Sequence, residues 1–319
     1  MPAAVPIENG LQSSVIVSSS ISIALVTVTV ALRLLAKQKV RGWDAGDCCL
    51  IGALLANTAL HTLVILLVVY GAFGFHITEI YTRFSPENAI FFFKGIMAFP
   101  ILWTVVTCFS KISVLFMYTS VFVQESMARW ARYIGAFLVT WNVATIIAGL
   151  TLCRPFARNW NRTIPGSCGS PSKLYTSIMV INMTIDVILL GLPLPYLFSL
   201  QMPLRRKIVA SGMMTIGIGT WVITIYRQTL LSGLDFEDMT YTGVLATILS
   251  GLEPAVAIAL ACIPQMRPLC ARKKQVSYGY GSSDNHERID ADSVVRLWSI
   301  DGVQSKRSKS DGVAADQEP

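Results

Sequence analysis

The sequence predicts an all-α, polytopic membrane protein: a bundle of seven transmembrane helices with its N-terminus outside and its C-terminus in the cytoplasm. Three observations predict it. The 319-residue chain is 53% hydrophobic and only 14% charged, whereas a soluble domain carries about 25% charged residues, so lipid is the main solvent. Seven apolar stretches reach the length of about 20 residues that crosses a bilayer as a helix. The basic residues behind the formal charge of +7 sit in short clusters between those stretches. That is the pattern of cytoplasmic loops facing anionic headgroups, and it argues against nucleic acid as a partner.

The spans are expected at 12–34, 47–70, 96–122, 132–153, 174–200, 208–232 and 240–263. Residues 1–11 form a short outer N-terminus without the basic start of a signal peptide, and the apolar run that follows is too long for one, so the first helix is retained. It ends in Arg33, Lys37, Lys39 and Arg41, which hold that end inside. The other inner clusters are Arg129/Arg132, Arg205/Arg206/Lys207 and Arg267/Arg272/Lys273/Lys274. Against them the outer loops carry Arg83, Arg154, Arg158, Arg162 and Lys173, with Asp235, Glu237 and Asp238 making the last one acidic. The inner excess of basic residues is more than two to one, which orients the bundle.

In the second helix Asn57 and His61 lie one turn apart on one face and read as hydrogen-bonded packing residues. Phe91, Phe92, Phe93 and Lys94 precede the third span as an aromatic belt with a snorkelling lysine. Between the fourth and fifth spans, Cys153 and Cys168 flank the sequon Asn161-Arg162-Thr163. On an outer face these cysteines are expected to form a disulfide and Asn161 to accept a glycan. The sequon at Asn182 falls inside the fifth helix and is silent. Pro100, Pro193, Pro195 and Pro254 interrupt helices three, five and seven, and Gly217 and Gly219 loosen the sixth. Residues 12–270 make the membrane domain and 271–319 a disordered cytoplasmic tail, too poor in large apolar residues to fold alone. Cys270, beside Arg272, is a candidate palmitoylation site, and Ser305, Ser308 and Ser310 are candidate phosphate acceptors.

Four charges lie inside the apolar runs. At 1.5 Å per residue, Lys111, Asp186 and Glu253 fall near the midplanes of helices three, five and seven, and Arg227 lies in the outer part of the sixth. A lysine at the bilayer centre costs about 2.5–3.5 kcal/mol on insertion scales, so such groups face the bundle interior and pair. Lys111 is expected to meet Asp186 or Glu253, with Arg227 balancing the second carboxylate; an Arg227 too far out would leave one carboxyl protonated. The set is either a static lock on helix register or a polar ligand or proton site.

The ordered local patterns resemble the fungal rhodopsin-domain family. They are Gly42-Trp43-Asp44 through Asp47, Gly74-Phe75-His76, Lys111 through Tyr118, Cys153-Arg154-Pro155 with Trp160 and Cys168, and Asp186 followed by Leu192-Pro193. Arg227, Asp235 with Thr240-Tyr241, and Glu253-Pro254 through Ile263-Pro264 complete the series. Gly46-Asp47 departs from the Asp-Asp usual at that place, and the cysteine-rich outer module of some members is not in this sequence. The resemblance implies a seven-helix integral membrane protein, related to surface-sensing receptor-like proteins and to members encoded among secondary-metabolite genes.

The expected function is therefore receptor-like sensing of a small or apolar ligand at the plasma membrane or another endomembrane. The expected partners are the lipid bilayer, a small-molecule ligand and a cytoplasmic signalling protein. Coupling to a G protein is a family-level analogy, because the Asp-Arg-Tyr triplet and the Asn-Pro-x-x-Tyr motif are absent. The alternative is a transporter or metabolite-handling protein of a secondary-metabolite pathway. An enzyme is not expected: the histidines are only His61, His76 and His286, with no G-x-S-x-G or H-E-x-x-H motif. No cofactor or metal is expected, and the last helix has no lysine for a retinal Schiff base.

Overall fold

The computed structural model describes residues 2–38, 44–121, 124–159, 164–195, 204–233 and 238–263. The helices are α1 (Gly10–Gln38), α2 (Ala45–Gly71), α3 (Ile77–Arg83), α4 (Pro86–Val121), α5 (Glu125–Leu150), α6 (Pro171–Gly191), α7 (Leu204–Ser232) and α8 (Met239–Cys262). A two-stranded hairpin, β1 (Cys153–Arg154) with antiparallel β2 (Ser167–Cys168), joins α5 to α6. Among the described residues, six helices are long and apolar enough to cross a membrane: α1, α2, α4, α5, α6 and α8. Helix α7 has 29 residues and opens on Arg205, Arg206 and Lys207.

Helix α1 shows how the sequence meets lipid. Its buried residues, among them Val15, Ser19, Ser22, Val26, Val30 and Arg33, recur every three or four positions, the stripe of a helix packed on one side. Val17, Ile21, Val28 and Leu35 are exposed on other faces, where lipid accepts them. The hydroxyls of Ser14, Ser18, Ser20 and Thr29 donate to carbonyls one turn back, so they need no water.

Helices α2 and α4 pack closely because glycines let them. A Cβ at Gly95 would lie 2.3 Å from Leu67 Cδ2, one at Gly71 3.3 Å from Phe92 Cβ, and one at Gly52 3.2 Å from Phe109. Small residues at a membrane helix contact allow this approach. Around the pair, Val30, Leu50, Leu60, Trp103 and Ile258 form one core of α1, α2, α4 and α8. Leu115, Leu138, Ile185 and Leu189 form a second, joining α4, α5 and α6.

Several element boundaries differ from expectation. Helix α4 starts at Pro86, ten residues before the expected span, and at 36 residues it is about 54 Å long. Phe92 is therefore not a headgroup anchor: it is fully buried and stacks on Phe73 at 5.6 Å, because the chain after α2 turns back over the helix ends. Lys94 is exposed. Pro100 and Pro254 sit inside continuous helices, since α-helices in membranes re-satisfy the one backbone group a proline frees. Pro193 instead follows the end of α6 at Gly191, so that helix stops short of residue 200. The N-terminal residues are not a free tail: Val5 donates to the Val69 carbonyl at 2.8 Å, Asn88 donates to the Ala3 carbonyl at 2.8 Å, and Arg83 pairs with Glu8 at 3.0 Å.

Candidate functional site

The four intramembrane charges form two ion pairs. Lys111 of α4 is buried, with Nζ 2.9 Å from Asp186 Oδ1 and donating to Asn182 Oδ1 at 2.7 Å. Asn182 and Asp186 are one turn apart on α6, so one helix face presents both oxygens to the ammonium. Arg227 of α7 is 1% exposed, and its Nη2 lies 3.1 Å from Glu253 Oε2 of α8. That contact is an ion contact without hydrogen-bond alignment. Lys111 and Asp186 are also close enough to act electrostatically on Glu253. Each carboxylate thus has its own cation, and the two pairs sum to zero charge in a region of low dielectric.

Arg227 is held by more than its carboxylate. Its guanidinium carbon sits 4.9 Å from the centroid of the Trp103 ring, Nη1 donates to Ser250 Oγ at 3.0 Å, and Nη2 approaches Met179 Sδ at 3.3 Å. Trp103 in turn donates its indole N–H to the Ser250 carbonyl at 3.0 Å. A cation over an indole face in a buried site is a strong contact. These three residues link α4, α6, α7 and α8 at one level.

The same three residues are the floor of a cavity of about 1150 Å³. It lies between α4, α5, α6, α7 and α8, under the β1–β2 hairpin, with Phe93, Met97, Ile101, Ile146 and Leu231 among its walls. Tyr81, Cys153, Arg158 and Cys168 line its hairpin end. A concave, mostly apolar space with a few polar groups is the usual form of a small-molecule site. None of Lys111, Asp186, Arg227 and Glu253 lines it; the ligand-sized space is one layer removed from the ions rather than at them. The hairpin over it is closed by the Cys153–Cys168 disulfide, the pair the sequence predicts. Asn161 and Cys270 lie outside the described residues.

A fungal rhodopsin domain model matches residues 32–272. The chain belongs to the fungal rhodopsin-domain family. It is 25% identical over 258 residues to a polyenoic acids biosynthesis gene cluster protein of Metarhizium anisopliae, covering 77% of this chain and 70% of the relative. It is 28% identical over 181 residues to a SAT4 family membrane protein of Emericella nidulans, covering 54% of this chain and 47% of that one. It is 23% identical over 210 residues to a satratoxin biosynthesis cluster protein of Stachybotrys chartarum, covering 65% and 71% of the two chains. With six long apolar helices and this family domain, the chain is a multi-pass membrane protein.

Two further clusters in this fungal rhodopsin-domain chain escaped the sequence reading. Arg33, counted as a loop charge, is fully buried: Nη2 lies 3.3 Å from Asp47 Oδ1 and Nη1 donates to the Ala261 carbonyl at 3.0 Å. Lys37 pairs with Asp44 at 2.8 Å and also with Asp47. Together they clasp α1, α2 and α8 at the end opposite the hairpin. Four cations followed by two carboxylates at the next helix start was the available signal. Gly46, where the family's usual pattern has Asp, would place a Cβ 3.1 Å from Phe116 Cβ, so a larger side chain there would crowd α4.

At the hairpin end, Asp238 accepts from the Ile77 N–H at 2.9 Å and pairs with His76 Nδ1, whose ring stacks on Tyr241 at 3.9 Å. Burial pushes the Asp238 carboxyl up, but the Ile77 N–H and His76 together outweigh it and hold the group below the ordinary aspartate value. This acid of the last loop is a latch between α3 and α8, not only a topology charge. Asn57 and His61 are both buried as packing residues, but the expected hydrogen bonds are not formed. Among the described residues the Asn57 amide has no partner, and the His61 ring lies against the Gly251 backbone without hydrogen-bond alignment. A Cβ at Gly251 would fall 2.6 Å from His61 Cε1, so glycine is what admits the ring. Among the described residues, no group of three or more His, Cys, Asp or Glu side chains is placed to hold a metal ion.

Proposed function

We propose that the protein is a receptor-like, non-catalytic membrane protein of seven transmembrane helices that recognises a small, largely apolar ligand in the cavity under the disulfide hairpin. In this reading α7 is the seventh span, the N-terminus and hairpin face outward at the plasma membrane, and the Arg33–Asp47 end faces the cytoplasm and a signalling partner. A disulfide belongs in an oxidising compartment, which supports that orientation. The observation that carries the reading is the shared floor. Trp103, Met179 and Ser250 line the cavity and hold Arg227, so a ligand that displaces any of them changes the setting of the Arg227–Glu253 pair. Occupancy could then shift the packing of α7 on α8 with no direct ligand–ion contact.

The test uses Gly149, which lines the cavity and has nothing within 4 Å of a Cβ position. Gly149→Trp should put an indole into the space, with no clash at its Cβ. In nanodiscs the full chain should bind the neutral dye Nile red, and Gly149→Trp should abolish binding with thermal stability unchanged. Unaltered binding in the variant would remove the cavity from consideration. A second reading, a transporter or metabolite-handling protein, is favoured by the names of two relatives from biosynthetic gene clusters. Net flux of a bound compound across proteoliposomes, lost in Glu253→Gln, would select it over a receptor.

A further inference from the structure

The charges on the cavity lining are one-sided. Among the described residues its only charged ones are Lys94 and Arg158, and no described aspartate or glutamate lines it. Lys94 is exposed and Arg158 half-buried. Arg158 Nη1 donates to the Ile164 carbonyl, which fixes the fork while leaving its other N–H groups to donate. No carboxylate among the described residues pairs with either cation. Most other residues are apolar or aromatic, relieved by hydroxyls such as Thr104, Thr145, Thr176 and Thr247.

The space is also long. On α4 the lining runs from Pro86 to Thr104, about 27 Å along the helix, and from Lys94 to the floor at Trp103 is about 13 Å. Two unneutralised cations beside an elongated apolar chamber complement an anionic head carried on an apolar chain. A cationic ligand would be repelled at the same place, and a polyol would leave its hydroxyls unsatisfied against the apolar wall.

We propose that the ligand is a singly anionic amphiphile, a carboxylic acid on an unbranched apolar chain, with the carboxylate held by Lys94 and Arg158 and the chain end directed at Trp103. The proposal rests on the ligand-cavity reading above and adds the chemical class. Guanidinium and ammonium donors form charge-assisted bonds with a carboxylate that they cannot form with its ester. Losing such a bond weakens binding about tenfold or more. The same chemistry could be met by a free acid or by the anionic headgroup of a membrane lipid.

The experiment measures binding of tritiated octadecenoic acid to the full chain in phosphatidylcholine nanodiscs, with its methyl ester and octanoic acid as competitors. Support is an acid that binds at least tenfold tighter than the ester and tighter than octanoic acid. Lys94→Gln and Arg158→Gln should each remove the preference for the acid while leaving ester binding in place, and Lys94→Arg should restore it. Equal binding of acid and ester, both blocked by Gly149→Trp, overturns the acid class and leaves the cavity standing. Binding of neither compound, together with no Nile red binding, overturns both. Repeating the measurement with phosphatidylserine in the nanodiscs separates the sources: if that lipid displaces the acid in proportion to its content, the cations hold a lipid headgroup and the free-acid proposal fails.

Discussion

At the scale of single residues, the decisive fact is which carboxylate each buried cation faces. Lys111 stands 2.9 Å from Asp186, and Glu253 belongs to Arg227. Lys111→Met should therefore leave Asp186 uncompensated and destabilise the protein by about 3–5 kcal/mol. Lys111→Met with Asp186→Asn should recover much of that loss, while Lys111→Met with Glu253→Gln should recover little, because it orphans Arg227 as well. Thermal unfolding of the four proteins in one detergent measures the difference; equal recovery in the two double variants would mean the pairs exchange partners. The cost of burying Lys111 was legible from its apolar neighbours. Its partner was not, since Asp186 and Glu253 lie at similar depth and only helix rotation separates them.

Helix ends and loops carry the contacts that the sequence showed as mere charges. Asp238 accepts from the Ile77 N–H and meets His76, which joins the start of α3 to the start of α8. Its carboxyl is held below the ordinary value, so folding gains from its ionised form. That gain is in full force above the unfolded aspartate value of about 3.9 and is lost as pH falls through the lower folded value. Asp238→Asn should thus lower stability near neutral pH and flatten the acid limb of a stability–pH curve measured between pH 2 and 6; an unchanged acid limb would assign the acid sensitivity to other carboxylates. At the opposite end, Asp47→Asn should cost about 3–5 kcal/mol, because Arg33 is 1% exposed and would lose its counter-charge. Thermal unfolding of that variant beside Asp44→Asn, whose side chain is 53% exposed, checks whether burial sets the penalty.

For the whole molecule, orientation is the property that every functional proposal needs. Thr78 on α3 and Arg129 on α5 are both exposed and lie at opposite ends of the bundle. With the N-terminus outside, Thr78→Cys should react with a membrane-impermeant maleimide added to intact cells, and Arg129→Cys only after permeabilisation. The reverse pattern would invert the bundle and place the cavity on the inner face. Composition and loop charge made lipid the solvent and set this expected orientation. Both are sums over neighbouring residues, which a linear chain displays in full. The Cys153–Cys168 bridge was legible for the same reason, its partners being 15 residues apart. What only the tertiary structure decided involves residues far apart in the chain: the choice of ion-pair partners, the Arg33 clasp, and a cavity whose floor is Trp103, Met179 and Ser250. Those depend on which helix faces meet and how closely, as Gly52, Gly71, Gly95 and Gly251 show for the packing of α2 on α4 and α8. Hydropathy records how much of a helix avoids water but not which neighbour each face meets.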